Sequence, residues 1–349
     1  MRKIRAALIG SGGIANIAHV PGYLALKDRG AEIVALCDIR PEALERTQKR
    51  HDLDVPGYAD YREMLRKEKI DVVSVCTPNS VHKAPTIAAL RAGCHVLCEK
   101  PISTSARDAR AMCAAAKKNR RKLMIGQSGR YHANAQAIKR AVDAGMLGNI
   151  YYARAHAIRR REIPARDTFL KKDLAGGGPM YDIGVHMLDL ALWQMGFPRP
   201  VSASGVTARK FGHKRGVIGT WGQWDPKMFE VEDFAVAFVR FANAATLSLE
   251  TSFASNIDRM VMNVWLLGDA GGADVSAGKL FTEQAGTLWD KTPYGLPKMR
   301  AYLAELEAFV DAVQNNKPVP VPGEEALLTQ TILDAVYKSA KLAREVRIR

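Results

Sequence analysis

Ile4-Arg5-Ala6-Ala7-Leu8-Ile9-Gly10-Ser11-Gly12-Gly13-Ile14-Ala15 is the stretch on which the fold of this 349-residue chain turns. Six residues with a single charge run straight into glycines, the pattern of a buried strand ending in a sharp turn. Gly10 permits the turn, Gly12 lets backbone approach a ligand, and Ala15 lets a following helix pack closely on the strand. A glycine pattern alone is weak evidence; its place between a strand and a helix strengthens it.

The rest of the first third repeats this rhythm. Strands are predicted at Ile4–Ile9, Glu32–Cys37, Val72–Cys76, His95–Cys98 and Leu123–Gly126. Helices are predicted at Ile14–Leu26, Pro41–Arg50, Tyr61–Glu68, Val81–Ala92 and Ala106–Asn119. Alternation of this kind builds a doubly wound parallel sheet, an α/β Rossmann domain over residues 1–126. Asp38 ends the second strand, where an acid accepts hydrogen bonds from an adenosine ribose. The backbone of Gly10, Ser11, Gly12, Gly13 and Ile14, with Asp38, is therefore expected to hold NAD at a helix start. A carboxylate repels the 2′-phosphate of NADP, but Arg40 could pair with one, so NADP stays open.

From about Asn149 the pattern changes. Phe234–Phe241, Ala245–Phe253, Met260–Leu267 and Val201–Ala208 read as strands, and Leu247, Leu249, Thr251 and Phe253 alternate with Thr246, Ser248, Glu250 and Ser252. A period of two marks a sheet with one covered face. Residues 127–349 are thus expected to be an α+β domain with an open, mostly antiparallel sheet. Its remaining face is a candidate contact for a homodimer or homotetramer. Helices end the chain: Tyr302, Leu306, Phe309, Val310 and Val313 share one face, and a last helix spans about Glu324–Arg344. They are expected to pack back on the first domain.

Composition removes several classes. No apolar run approaches the roughly 20 residues a bilayer span needs, so no membrane partner is expected. Met1–Arg5 looks like a leader's basic start, but Ala6–Ile9 is too short for its apolar core, which predicts a cytoplasmic protein. The five cysteines (Cys37, Cys76, Cys94, Cys98, Cys113) are odd in number, and Cys37, Cys76 and Cys98 end apolar runs, which predicts thiols rather than disulfides. Cys94 and Cys98 lack a second pair, so no metal is expected. The net charge of +15 is carried in part by Lys117–Lys122, Arg159–Arg161 and Lys210–Arg215. These clusters have no nucleic-acid motif beside them, so no nucleic-acid partner is expected. An acidic substrate stays open.

Four further segments occur in order. They are Thr77-Pro78-Asn79 with His82; Glu99-Lys100-Pro101; Gly176-Gly177-Gly178-Pro179-Met180-Tyr181-Asp182-Ile183-Gly184-Val185-His186-Met187-Leu188-Asp189; and Asp334-Ala335-Val336-Tyr337-Lys338-Ser339-Ala340. Together they resemble the Gfo/Idh/MocA oxidoreductases, named after glucose–fructose oxidoreductase and inositol dehydrogenase, over nearly the whole chain. The resemblance implies a Lys-Pro bond that is often cis and a catalytic set at Lys100, Asp182 and His186. It also implies that Thr77, Pro78, Asn79, His82, Glu99 and Lys100 border the cofactor.

The chemistry suits those residue types. Oxidising a secondary alcohol needs a base for the hydroxyl proton as hydride leaves, and a histidine, with an unperturbed pKa of about 6.5, suits it. Asp182, four residues before His186, would share its helix face and orient it or bind a neighbouring hydroxyl. Lys100 supplies charge to favour alkoxide character. The triple glycine would let a ligand approach the helix start, while Asp189 reads as a packing or orienting residue. Arg130, Tyr131, Arg160 and Tyr181 complete the expected substrate set. Arg159 and Arg160 are not ranked by sequence, Tyr181 could equally pack, and Trp221 and Trp224 suit either a sugar pocket or the core.

The expected activity is reversible hydride transfer between a ring hydroxyl of a sugar, cyclitol or related polyol and NAD(P). An NAD-dependent glycosidase working by transient oxidation and elimination is a second reading. A redox-inert sugar-sensing regulator is a third, against which the retention of Lys100, Asp182 and His186 speaks.

Overall fold

Short apolar runs covered on both faces form the sheet of the first unit. In the computed structural model, which describes residues 3–348, the chain divides into two units. One comprises Met1–Ser128 with Arg300–Leu327, the other Gly129–Met299 with Leu328–Arg349. The first unit holds β1 (Ile4–Ile9), β2 (Ala31–Cys37), β3 (Gly57–Tyr58), β4 (Val72–Val75), β5 (His95–Glu99) and β6 (Leu123–Gly126). Their order is β3-β2-β1-β4-β5-β6, with every pair parallel. The chain leaves β1 toward β2 on one side and reaches β4 on the other. The crevice past the carboxyl ends of β1 and β4 is the topological switch point where such sheets bind ligands.

The helices Pro41–His51, Tyr61–Lys67, Lys83–Arg91 and Ala106–Asn119 lie close to their predicted ends. Asp60 and Ser105 cap two of them by accepting the Arg62 and Asp108 N–H groups. The helix after the glycine turn is not one uniform α-helix. It opens as a π-turn, Ala15–His19, and continues as Val20–Ala25. Pro21 has no N–H to extend the i→i−4 ladder, and the Val20 N–H reaches back five residues to the Ala15 carbonyl. The helix Ala301–Gln314 belongs to this unit and buries Leu306, Phe309, Val310 and Val313. It approaches closely at Gly22, where an added Cβ would lie 2.7 Å from the Leu306 side chain.

The second unit carries a nine-stranded sheet: β7 (Ile150–Ile158), β8 (Pro200–Ala208), β9 (Phe234–Phe241), β10 (Thr246–Ser252), β11 (Val261–Gly268), β12 (Gly271–Asp274), β13 (Lys279–Gln284), β14 (Thr287–Lys291) and β15 (Val346–Arg347). The order is β14-β13-β12-β11-β7-β10-β9-β8-β15, antiparallel throughout except for β7 beside β10. Sequence patterning finds only four of these strands and misses the central one. β7 presents Ala153, Ala155 and Ala157 to the core, and all three are fully buried. Small residues there let the apolar helix Val185–Gln194 approach the sheet, but they leave no Val/Ile/Leu alternation to read. The opposite face is open: Val206 (58% exposed), Phe238, Leu267 and Phe281 all reach solvent.

Candidate active site

In the first unit the carboxyl ends of β1, β2, β4 and β5 bring together Gly10–Gly13, Asp38, Thr77–Asn79 and Glu99–Pro101. Gly10 has φ +98°, and a Cβ there would stand 2.6 Å from the Cys76 carbonyl oxygen. Only glycine turns the chain so close to β4. Gly10→Ala should therefore cost the first unit about 1–3 kcal/mol through backbone strain alone, together with loss of NAD affinity. A thermal melt and a nucleotide titration check it, and wild-type values in both would show that the turn tolerates a side chain.

A Cβ on Gly12, by contrast, would meet nothing within 4 Å. The Asn16 amide donates to the Ser11 carbonyl (3.1 Å), the Gly12 carbonyl (2.8 Å) and Thr47 Oγ1 (2.9 Å), so the loop is held from beneath. Asp38 accepts the Ser11 N–H at 2.9 Å and the Arg40 N–H at 3.0 Å. The Arg40 Nε lies 3.5 Å from the same carboxylate, with its side chain mostly exposed. Two buried hydroxyls, Ser11 Oγ and Thr77 Oγ1, have no hydrogen-bond partner among the described residues. Open space over Gly12, two unanswered hydroxyls and an acid at the end of β2 suit a dinucleotide. The Ser11 hydroxyl and the Gly12–Ile14 backbone would hold its phosphates and Asp38 a ribose.

Two residues expected at the cofactor do other work. His82 is fully buried, with Nδ1 2.8 Å from the Pro101 carbonyl and Nε2 2.9 Å from the Thr77 carbonyl. It ties the loop after β4 to the loop after β5. Glu99 turns inward: Oε1 meets His19 Nε2 at 2.9 Å, and Oε2 accepts the Lys100 backbone N–H at 3.2 Å. His19, fully buried, continues to Ser74 Oγ at 3.0 Å, which meets the Tyr23 hydroxyl at 2.9 Å. Burial pushes the Glu99 carboxyl up, but the His19 hydrogen bond and the charges of His19 and Lys100 outweigh it and hold the group below its usual range. The Lys100–Pro101 peptide bond is cis.

In the second unit Met180–Gly184 forms a π-turn that runs into the helix Val185–Gln194. The 182-to-186 spacing therefore crosses a wide turn rather than a regular α-helical one. Asp182 is 14% exposed, and Arg159 Nη1 stands 3.8 Å from its Oδ2. His186 is half-buried on the first turn of the helix. Two of the three glycines, Gly177 and Gly178, serve packing instead of ligand approach. A Cβ on Gly177 would strike the Tyr337 hydroxyl, and one on Gly178 the Glu232 carbonyl. Glu232 Oε1 accepts both the Gly178 N–H (2.9 Å) and the Tyr337 hydroxyl (2.5 Å). Burial pushes the Glu232 carboxyl up.

The expected substrate set divides accordingly. Tyr181 is buried, its ring tilted against that of Tyr337 at 5.2 Å and its hydroxyl accepting a hydrogen bond from the Gln330 amide at 2.9 Å, so it packs. Arg130 lies in the interior, donating from Nε and Nη2 to the two Asp189 oxygens at 2.7 Å each, and Tyr131 is buried beside it in sequence. Arg160 points to the Asp258 carbonyl at 3.3 Å, and it is Arg159 that faces Asp182. One signal could have ranked the two arginines. Ala153, Ala155 and Ala157 face the core, and the next residue in that alternation is Arg159. Among the described residues, no three His, Cys, Asp or Glu side chains converge on a metal, and no helix is long and apolar enough to cross a membrane.

A glycine-turned switch point, together with a π-turn bearing an acid that runs into a helix bearing a histidine, defines a nucleotide-dependent oxidoreductase frame. Comparison with known proteins agrees. Residues 4–127 match the oxidoreductase family with an NAD-binding Rossmann fold, and residues 135–274 match the GFO/IDH/MocA C-terminal domain. D-glucoside 3-dehydrogenase of Escherichia coli (strain K12) is 36% identical over 346 residues, 99% of this chain and 97% of that protein. Myo-inositol 2-dehydrogenase of Thermotoga maritima is 25% identical over 354 residues, 99% of this chain and 98% of that protein. The crystal structure of aldose-aldose oxidoreductase from Caulobacter crescentus, complexed with glycerol, superposes with a TM-score of 0.81 at 27% identity, covering 99% of this chain and 100% of that one. The chain belongs to the Gfo/Idh/MocA oxidoreductase family and carries its NAD-binding Rossmann domain.

Proposed function

We propose that the chain is an NAD-dependent dehydrogenase that oxidises a ring hydroxyl of a sugar or glycoside, with Lys100, Asp182 and His186 as its catalytic set. The observation that carries this reading is the second unit's π-turn. It sets Asp182 beside Arg159 and starts the helix bearing His186, which stands half-buried on that helix's first turn. The similarity to a glucoside 3-dehydrogenase over the full chain supports the substrate class.

His186 takes the hydroxyl proton onto its ring. Asp182 accepts a hydrogen bond from a neighbouring hydroxyl or from the imidazole. Lys100 supplies positive charge to the developing alkoxide, its backbone held by Glu99. The nicotinamide, when bound, supplies the hydride acceptor. Asp38 favours NAD over NADP, and Arg40, turned back on Asp38, leaves that preference in place.

The test is absorbance at 340 nm with purified protein, NAD or NADP, and a panel of glucosides, inositols, anhydrosugars and sugar acids. NADH formation with a neutral sugar supports the assignment. Release of an aryl aglycone without net NADH would replace it with the glycosidase reaction. Silence across the panel would sink it.

The open face of the second sheet is proposed as the contact of a homodimer or homotetramer. Val206 and Phe238 lie near one another on β8 and β9, outward and exposed. Placing a charge in a buried apolar contact is costly. Phe238→Glu should therefore reduce the mass seen by light scattering to that of the monomer, and an unchanged oligomer would exclude this face.

A further inference from the structure

Arg159 leaves the end of β7 on its core-facing side, and its side chain is only 11% exposed. Its guanidinium lies 4.1 Å over the ring of Trp221, which is itself half exposed. The loop bearing Trp221 is anchored through Thr220, whose N–H and hydroxyl both donate to the Arg161 carbonyl, at 2.8 and 3.0 Å. Arg159 Nε is 3.4 Å from Glu162 Oε2, and Nη1 is 3.8 Å from Asp182 Oδ2. Neither is a formed hydrogen bond. The guanidinium has five N–H groups to satisfy, yet its one hydrogen bond among the described residues is a 3.5 Å contact to the Glu162 carbonyl. Arg159 Nε and Glu162 Oε2 are both buried and unanswered.

Charge sets what these groups can take. The net charge of +15 would suggest an anionic substrate, but the local balance is the reverse. One guanidinium stands between two carboxylates. The adjacent cations turn elsewhere, Arg160 to the Asp258 carbonyl and Arg161 to the Ser255 carbonyl with its guanidinium over Phe211. A hydroxyl donates and accepts at once, so neighbouring neutral hydroxyls can satisfy an N–H donor and a carboxylate oxygen side by side. A carboxylate or phosphate brings only acceptors and meets two like charges.

We propose that Arg159, Glu162 and Asp182, backed by Trp221, form a subsite that binds a pair of adjacent uncharged sugar hydroxyls and rejects anionic sugars. This rests on the dehydrogenase reading above and names its substrate class. Arg159 and Glu162 set specificity, apart from the proton transfer at His186.

The test compares kcat and KM for methyl glucoside and methyl glucuronide, with NAD, in wild type, Glu162→Gln and Arg159→Lys. Folding of each variant is confirmed by a wild-type urea midpoint for the second unit, with an unchanged NAD titration showing the first unit intact. Wild type should prefer the glucoside by about tenfold or more in kcat/KM, the size of one lost polar contact or one unfavourable charge. Glu162→Gln keeps the shape and removes the charge, so the preference should narrow severalfold. Arg159→Lys loses the planar fork and should raise KM for the glucoside about tenfold with a smaller change in kcat. Oxidation of glucosides with an unchanged acid-to-neutral ratio in Glu162→Gln and an unchanged KM in Arg159→Lys would overturn the subsite alone. No oxidation of either sugar by wild type would overturn the subsite together with the reading it rests on.

Discussion

Replacing His186 by alanine should lower kcat by about 10²–10⁴-fold, the usual contribution of a positioned general base, while NAD binding stays at its wild-type value. The separation of effects follows from the architecture. The residues that suit the dinucleotide, Gly10–Ile14 and Asp38, belong to the first unit, whereas His186 stands on the first turn of Val185–Gln194 in the second. Removing an imidazole there leaves the glycine turn, the Asn16 brace and the Asp38 contacts untouched. His186→Asn serves as a control that keeps a polar side chain but has no basic nitrogen. Steady-state rates at 340 nm and a nucleotide titration measure the two effects. A variant with undiminished kcat would remove His186 from the base role. Partial recovery of turnover on adding free imidazole would strengthen it.

The largest stability effect should come from Arg130. Its side chain and that of Asp189 are 3% and 1% exposed, joined by two 2.7 Å hydrogen bonds, with the guanidinium 5.0 Å over Phe197 and 5.8 Å over Trp193. Removing one partner of such a pair leaves the other charge buried and uncompensated, which costs about 3–5 kcal/mol. Arg130→Ala should therefore shift the urea midpoint of the second unit far down. Asp189→Ala should do the same. The pair Arg130→Met with Asp189→Leu should cost less than either single change, because no charge is then left unpaired. A single variant within about 1 kcal/mol of wild type would mean that water reaches the site and screens the orphaned charge. The same geometry explains why Arg130 is unavailable to a substrate.

Two corrections share a cause. Glu99 and His82 sit in motifs that border the cofactor, yet their side chains turn inward to His19 and to two backbone carbonyls. Gly177 and Gly178 look like room for a ligand, yet Tyr337 and the Glu232 backbone fill that room. A motif tells which residues gather at a loop. Which way each side chain turns depends on atoms contributed by distant segments, here His19, Pro101, Glu232 and Tyr337.

By itself the sequence determined the Rossmann sheet, the glycine turn, the acid after β2 and a helical segment bearing His186, but not the π-turn that holds Asp182. Each is encoded locally: apolar runs of strand length, a glycine where φ must be positive, and an apolar helical stretch with a few polar interruptions. Tertiary structure alone decided the central strand β7, because its core face is alanine and its partners lie about a hundred residues away, on β10 and β11. With β7 in place, alternation along it sends Arg159 toward Asp182 and leaves Arg160 on the other side. That choice, together with the two carboxylates flanking the arginine, is made by packing across the sheet.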